Sequence, residues 1–214
     1  MHTTENSHSL DRQVRVWDPL VRIFHWSLVA LFLLSFVSGE EESALHTWAG
    51  YAVLALVVLR TLWGFVGPRH ARFGDFVRGP AGIIAYAKDL LLLRSRRYLG
   101  HNPLGGAMIM AMLVTLLATG ASGLALQQAR QGGGAIASAA AAAYAAPAAL
   151  ISSARADDHE HGKEGGEEWL EELHEFLAHF MLLLVAGHLA GVVLNSAMHR
   201  ENLVRAMFTG RKRV

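Results

Sequence analysis

Four long apolar stretches limit what this sequence can fold into. They run over about residues 20–38, 46–66, 103–126 and 173–197. Each is long enough to cross a bilayer core as a helix, which takes about 20 residues. Because backbone polar groups must be bonded internally in lipid, we predict an all-α fold, an up-and-down integral membrane four-helix bundle. We expect residues 1–214 to form one domain.

The basic residues lie almost entirely on one side of these predicted spans. Of the 19 Lys and Arg residues, 16 fall in residues 1–22, 60–103 and 200–213. The positive-inside rule therefore predicts that both termini are cytoplasmic, in a bacterial inner membrane. The first apolar run is expected to be a retained span, because the polar start lacks a signal-peptide pattern.

Residues 80–93 are too short to span and follow a basic, Gly-rich stretch. They predict a helix at the cytoplasmic interface, with Tyr86 and Lys88 as anchors. The third span has a start signal, since Asn102 is a plausible N-cap and Pro103 suits the first helical position.

Residues 127–172 are predicted to form a periplasmic loop. Its segment 135–151 is Ala-rich and is interrupted by Pro147, so we do not assign it as a fifth span. Residues 157–175 carry nine carboxylates and one lysine.

The chain has no cysteine but twelve histidines. Disulfides, thiolate zinc sites, iron–sulfur clusters and covalent haem attachment through C-x-x-C-H are thereby excluded. A metal or a haem would have to be held largely by imidazole.

Four histidines lie in or at the ends of the predicted spans, where ionisable residues are costly and are functional candidates. They are His25, His46, His174 and His188. His174 and His188 are 14 residues apart, so on one helix they project within about 40° of the same face and about 21 Å apart. One helix thus offers imidazoles to two sites, one near each membrane surface.

Depth pairs these histidines as His46 with His174 on the periplasmic side, and His25 with His188 on the cytoplasmic side. Two axial imidazoles leave haem iron no open position, which suits electron transfer. A single membrane histidine could instead bond a neighbouring helix. Four at two matched depths favour the binding of two haem b groups.

Arg60 follows His46 by 14 residues and shares its helix face at the cytoplasmic level. It is predicted to pair with a haem propionate, and the alternative is a snorkelling arginine. Glycines near the histidines would admit a porphyrin edge, although close helix packing explains them equally well. These are Gly50, Gly187 and Gly191, with Gly120 and Gly123 in the third span.

The remaining histidines are not assigned as ligands. His179 lies about 140° from the His174 face, which leaves a quinone or a helix contact open. His159 and His161 lie in the acidic segment, where a solvated loop is the simpler interpretation. Three others lie among basic residues and look interfacial: His70, His101 and His199.

Five motifs carry a family resemblance. They are RVWDPLVRIFHW at 15–26, LHTWAGY at 45–51, LRTLWGFVGPRHARFGDFVRGP at 59–80, GHNPLGG at 100–106 and HRENLVRAMFTGRKR at 199–213. Together they resemble the prokaryotic cytochrome b561 family, and within it the branch that includes the b-type subunits of nickel–iron hydrogenases. The resemblance implies di-haem electron transfer between a periplasmic redox partner and membrane quinone, with ligands at the four histidine positions. The long Ala-rich loop departs from the family pattern.

The leading hypothesis is therefore an electron-transfer cytochrome that connects the quinone pool with a periplasmic hydrogenase or c-type cytochrome. The acidic loop could steer a basic cytochrome by charge. An alternative is a superoxide:quinone oxidoreductase acting on its own, which is less favoured because that loop is acidic. A third hypothesis is a haem-free bundle that anchors or transports. Whether the chain is itself an enzyme and its oligomeric state stay open, and nothing indicates nucleic-acid binding.

Overall fold

A computed structural model describes residues 13–39, 43–130 and 164–213. Helices predominate within these ranges, and their only strands form one two-stranded ribbon. The elements in chain order are β1 (Gln13–Arg15), α1 (Pro19–Val37), α2 (Ala44–Val66), a 3-10 turn (Arg69–Ala71), α3 (Phe73–Phe76), α4 (Pro80–Leu91), α5 (Pro103–Arg130), α6 (Glu164–His199), α7 (Leu203–Thr209) and β2 (Arg211–Arg213).

Helices α1, α2, α5 and α6 correspond to the four predicted spans. Their most apolar 18-residue windows have mean hydropathies of 2.0, 1.8, 2.0 and 2.1. Large apolar side chains on them are exposed, including Leu33, Phe65 and Leu183. Lipid chains supply the apolar surroundings that such surfaces need. The chain is thus a multi-pass membrane protein.

Two of these helices extend beyond the predicted spans. Helix α5 continues to Arg130, and α6 begins at Glu164. Residues 127–130 and 164–172 of the predicted loop 127–172 are therefore helical, and its periplasmic location stays a prediction. Glutamate and leucine are good helix formers, so a helix can continue after its sequence has become too polar for lipid. Residues 40–42, the Ala-rich segment, His159 and His161 lie outside the described residues.

The start of α5 follows the predicted capping pattern. The Oδ1 atom of Asn102 accepts a hydrogen bond from the Gly105 amide at 2.7 Å, which confirms it as the N-cap. Its side-chain amide also donates to Oδ1 of Asn195 in α6 at 3.3 Å.

Helix α4 occupies most of the segment predicted to lie at the interface, but Tyr86 does not act there as an exposed anchor. Its side chain is buried, and its hydroxyl donates to Oδ1 of Asn195 at 3.1 Å. Burial raises the pKa of Tyr86 above its ordinary value, so the hydroxyl stays protonated as a donor. Tyr86 therefore joins α4 to α6. Of the two predicted anchors, only Lys88 is exposed.

The ribbon joins the two ends of the described chain. Strands β1 and β2 pair antiparallel, with Gln13 opposite Arg213 and Arg15 opposite Arg211. Gly210 precedes β2 with a φ of 76°, a conformation that favours glycine. Its carbonyl accepts hydrogen bonds from the amides of the two residues after β1, at 2.9 and 3.1 Å.

The described residues fall into two compact units. The first unit comprises those within Met1–Trp26, Leu62–Met108 and His188–Val214, and the second those within Ser27–Thr61 and Ile109–Gly187. The single domain predicted over residues 1–214 stays a prediction.

The first unit contains a buried charge cluster. Glu201 and Lys212 are both buried, and Nζ of Lys212 lies 3.7 Å from Glu201 Oε2. Arg97 donates to Oε1 of the same carboxylate at 3.1 Å. Burial lowers the pKa of Lys212, and nearby Arg97 adds to this, while Glu201 opposes it. Without the Glu201 carboxylate, the positive charges of Lys212 and Arg97 would lack their counter-ion, which is costly for a buried group.

The second unit has a small apolar core where α5 and α6 pack. Ala125, Leu126 and Leu170 are buried there, with Ala129 and Trp169 partly buried against them. This contact lies one to two turns from His174, so it fixes the position of that histidine along α5.

Candidate functional site: two histidine pairs

The first unit brings His25 of α1 next to His188 of α6. Their ring centroids are 6.4 Å apart, and the ring planes are inclined at 52°. His25 also meets Trp26 edge-on at 5.0 Å. Its Nδ1 atom is buried and has no hydrogen-bond partner within the described ranges.

The second unit brings His46 of α2 next to His174 of α6. Their ring centroids are 6.0 Å apart, and the planes are inclined at 79°. The four predicted histidines thus come together in the two predicted combinations. Their role as ligands stays a prediction.

Both rings of the second pair are held by backbone carbonyls. The carbonyl oxygen of Ser35 lies 2.8 Å from His46 Nδ1, and that of Thr119 lies 3.0 Å from His174 Nδ1. Because a carbonyl oxygen can only accept, each Nδ1 carries the proton. The lone pair then resides on Nε2, the tautomer in which a histidine can bind a metal while its other nitrogen donates to the protein.

The ring separations fit a metal ion between each pair. Two imidazoles bonded to opposite sides of one ion, at about 2 Å each, have ring centres about 6 Å apart. Both observed separations have this value. Among the described residues no group of three or more His, Cys, Asp or Glu side chains could hold a metal. Two protein ligands suit a metal whose other positions are filled by a macrocycle, as in haem.

The glycines have three kinds of surroundings. A Cβ added at Gly50 or Gly191 would meet no atom within 4 Å. These two positions therefore leave room for a flat group beside the histidines of their own units. At Gly120 an added Cβ would lie 2.8 Å from Leu54, so this glycine serves helix packing. Gly123 instead faces the imidazole of His174.

Arg60 is buried in α2, with 6% of its surface exposed. A snorkelling arginine would expose its guanidinium to water, so burial argues against that alternative. A buried cation needs an anion or several acceptors nearby, which is compatible with its predicted pairing with a carboxylate.

His179 lies on an exposed face of α6. Its Nδ1 bonds the carbonyl of Glu175 one turn earlier at 3.0 Å, and its ring meets Phe36 edge-on. This fits a helix contact rather than a ligand.

His70 and His101 lie in the first unit, away from the paired histidines in sequence. His70 is 3.1 Å from Oδ2 of Asp75. The His101 ring contacts those of Trp17 and Phe76 at tilted angles, with centroids 4.5 and 4.9 Å apart. Burial alone would raise the pKa of Asp75, but its hydrogen bonds to His70 and Arg69 outweigh this and hold that pKa below its ordinary value.

Three residues that matter for the second pair were not predicted. Ser35 and Thr119 act through backbone carbonyls, which every residue possesses, so no sequence signal identifies them. Ser122 is different, because its hydroxyl lies 3.0 Å from His174 Nδ1 and its side chain is fully buried. A polar side chain inside a predicted span was a signal that could have found it.

Comparison with known proteins gives one family. The family model described as prokaryotic cytochrome b561 matches residues 16–210, a range that includes all four histidines. A relative described as a probable Ni/Fe-hydrogenase B-type cytochrome subunit, from Rhizobium leguminosarum bv. viciae, is 29% identical over 155 residues. The match covers 58% of this chain and 64% of that relative, which is less than two thirds of its length. No solved structure gives a significant match.

Proposed function

Because the chain belongs to the prokaryotic cytochrome b561 family, we propose that it binds two b-type haems, one at each histidine pair. The family implies transmembrane electron transfer. In this proposal electrons pass between membrane quinone and a periplasmic redox partner. The observation that carries it is the separation of the paired rings, 6.4 Å and 6.0 Å, each suited to one metal ion between two imidazoles.

The protein's own residues would bind and position the cofactors. His25 and His188 hold one group, and His46 and His174 hold the other. When bound, each haem b would supply a one-electron iron couple. Gly50 and Gly191 leave space beside the rings, and Arg60 provides a buried cation for a propionate.

The charge distribution supports an orientation. We infer that both termini are cytoplasmic, since 16 of 19 basic residues lie on their side of the spans. The His46–His174 pair is then the periplasmic one. A reporter fused to the C-terminus that is active only in the periplasm would contradict this orientation if it gave signal.

The periplasmic partner is proposed from the relative's description. That protein is named as a hydrogenase subunit, which favours a hydrogenase over a c-type cytochrome as the partner here. Hydrogen-dependent reduction of this protein in native membranes would support that choice. Reduction by a c-type cytochrome alone would favour the other.

The haem content provides the direct test. The purified full chain should show a reduced-minus-oxidised spectrum with a b-type α-band and two haem b per chain by pyridine haemochrome assay. Menadiol should reduce both haems. Absence of the α-band would refute haem binding. Two haems that menadiol and ubiquinol analogues fail to reduce would refute only the quinone part.

A further inference from the structure

Three residues of α5 contact the ring of His174. The Thr119 carbonyl and the Ser122 hydroxyl each lie 3.0 Å from His174 Nδ1. An added Cβ at Gly123 would lie 2.8 Å from His174 Cε1. We call these three residues of α5 the His174 seat.

The seat fixes which nitrogen of His174 carries the proton. The Ser122 hydroxyl donates to the Thr119 carbonyl at 2.9 Å, so its lone pairs remain available to the imidazole. Carbonyl and hydroxyl can therefore both accept from Nδ1–H. Ser122 has no exposed surface, so water does not compete for these bonds.

The seat also limits the rotation of the ring. A Cβ at residue 123 would come too close to Cε1, and the two acceptors hold the neighbouring Nδ1. Contacts on two adjacent ring atoms leave the imidazole plane one favourable orientation. Many serines in membrane helices bond only a carbonyl of their own helix. The Ser122 hydroxyl bonds such a carbonyl and also lies within hydrogen-bond distance of the His174 ring.

We propose that Thr119, Ser122 and Gly123 are positioning residues that set the tautomer and plane of His174 for haem binding and strengthen it as a ligand. This rests on the proposed function. An Nδ1–H that donates to an acceptor makes the imidazole more basic and its bond to a metal stronger. Greater basicity favours the oxidised iron, so the seat lowers the midpoint potential of the haem at His46–His174.

Ser122→Ala tests the hydrogen bond without adding bulk. We expect the midpoint potential of the haem at His46–His174 to rise and its low-spin EPR g-values to shift. Removal of such outer contacts typically weakens metal binding by about 10-fold or more, so retention of this haem should fall on dilution in detergent. The haem at His25–His188 should keep its potential and g-values, which also reports that the variant is folded.

Gly123→Ala should act more strongly, because its methyl group would displace the ring. Thr61→Val is the matched control, since among the described residues the Thr61 hydroxyl bonds only its own helix, at the Val57 carbonyl 2.8 Å away. It should leave both haems unchanged. If Ser122→Ala has wild-type g-values and potential while both haems are present, the seat proposal is wrong. If the wild-type protein binds no haem, the proposed function fails instead.

Discussion

The two histidine pairs have similar ring separations but differ in what holds the rings. In the second unit, His46 and His174 each donate from Nδ1 to a backbone carbonyl, at 2.8 and 3.0 Å. In the first unit, Nδ1 of His25 is buried without a hydrogen-bond partner among the described residues. Polar contacts in that unit instead join its helices to one another, as in the bonds that Asn195 accepts from Tyr86 and Asn102.

This difference illustrates two ways in which a protein can position its histidines before a cofactor binds. Hydrogen bonds to the ligands themselves fix ring plane and tautomer before a cofactor binds. Contacts between the surrounding elements fix only the helices, and the rings keep some rotational freedom. We expect the His46–His174 site to depend on single residues next to its rings, and the His25–His188 site to depend on the stability of the first unit.

The largest expected effect comes from removing one ligand of each pair. His174→Ala and His188→Ala should each lose one of the two haems almost completely, because the single remaining imidazole would hold that group much more weakly. Haem per chain and the amplitude of the α-band should both fall by about half. Redox titration should show that the two variants lose different components. Retention of both haems in either variant would refute the assignment of that ligand.

Glu201→Gln should have the next largest effect, and only in the first unit. It would leave the buried Lys212 and the half-buried Arg97 without their carboxylate. Breaking a buried ion pair costs about 3–5 kcal/mol. We expect a lower thermal unfolding temperature and easier loss of the haem at His25–His188, with the other haem retained.

Glu171→Gln provides the control for this prediction. Glu171 pairs with Arg130 at 3.1 Å, but its side chain is 58% exposed. Exposed pairs contribute about 0–1 kcal/mol, so the unfolding temperature should hardly change. Equal destabilisation by the two substitutions would show that burial of the cluster is not what matters.

The smallest predicted effect concerns pH. The pKa of Asp75 is held below its ordinary value by His70 and Arg69, so its ionised form stabilises the fold above about pH 4. That contribution is lost as the pH falls through the lowered pKa. Because Arg69 is largely exposed, we expect about 1 kcal/mol or less.

Asp75→Asn measures this contribution. It should lower the unfolding temperature slightly at pH 7, and the difference from wild type should shrink towards pH 3. A difference that grows on acidification would contradict the direction of the pKa shift. At each pH, the spectrum of the haem at His46–His174 should be the same in the variant as in wild type.

The sequence predicted what depends on periodicity and hydropathy. The four spans, the Asn102 cap and the pairing of histidines by depth follow from residue spacing along a helix. The pairing needed no knowledge of the loops, because depth in a bilayer is set by distance from the span ends. The comparisons confirm the family that the five motifs indicated, and the ligand roles stay predictions.

Other features depend on groups that the sequence does not distinguish. His46 and His174 donate hydrogen bonds to backbone carbonyls, which every residue has, so the sequence does not show which residues accept them. Tyr86 was assigned to the interface because tyrosine is common there, yet a single acceptor on Asn195 makes burial favourable. Helix α6 includes the polar residues 164–172 because helix formation and membrane insertion have different requirements, and hydropathy reports only the second.

The terminal ribbon sets a condition on how the chain crosses the membrane. Backbone hydrogen bonds between residues 13–15 and 211–213 require both segments to lie in the same aqueous compartment. A chain that leaves and re-enters one compartment must cross the bilayer an even number of times. This parity rule is independent of charge and of hydropathy. Any insertion that added one crossing would have to break the ribbon, so ribbon pairing reports whether the topology is intact.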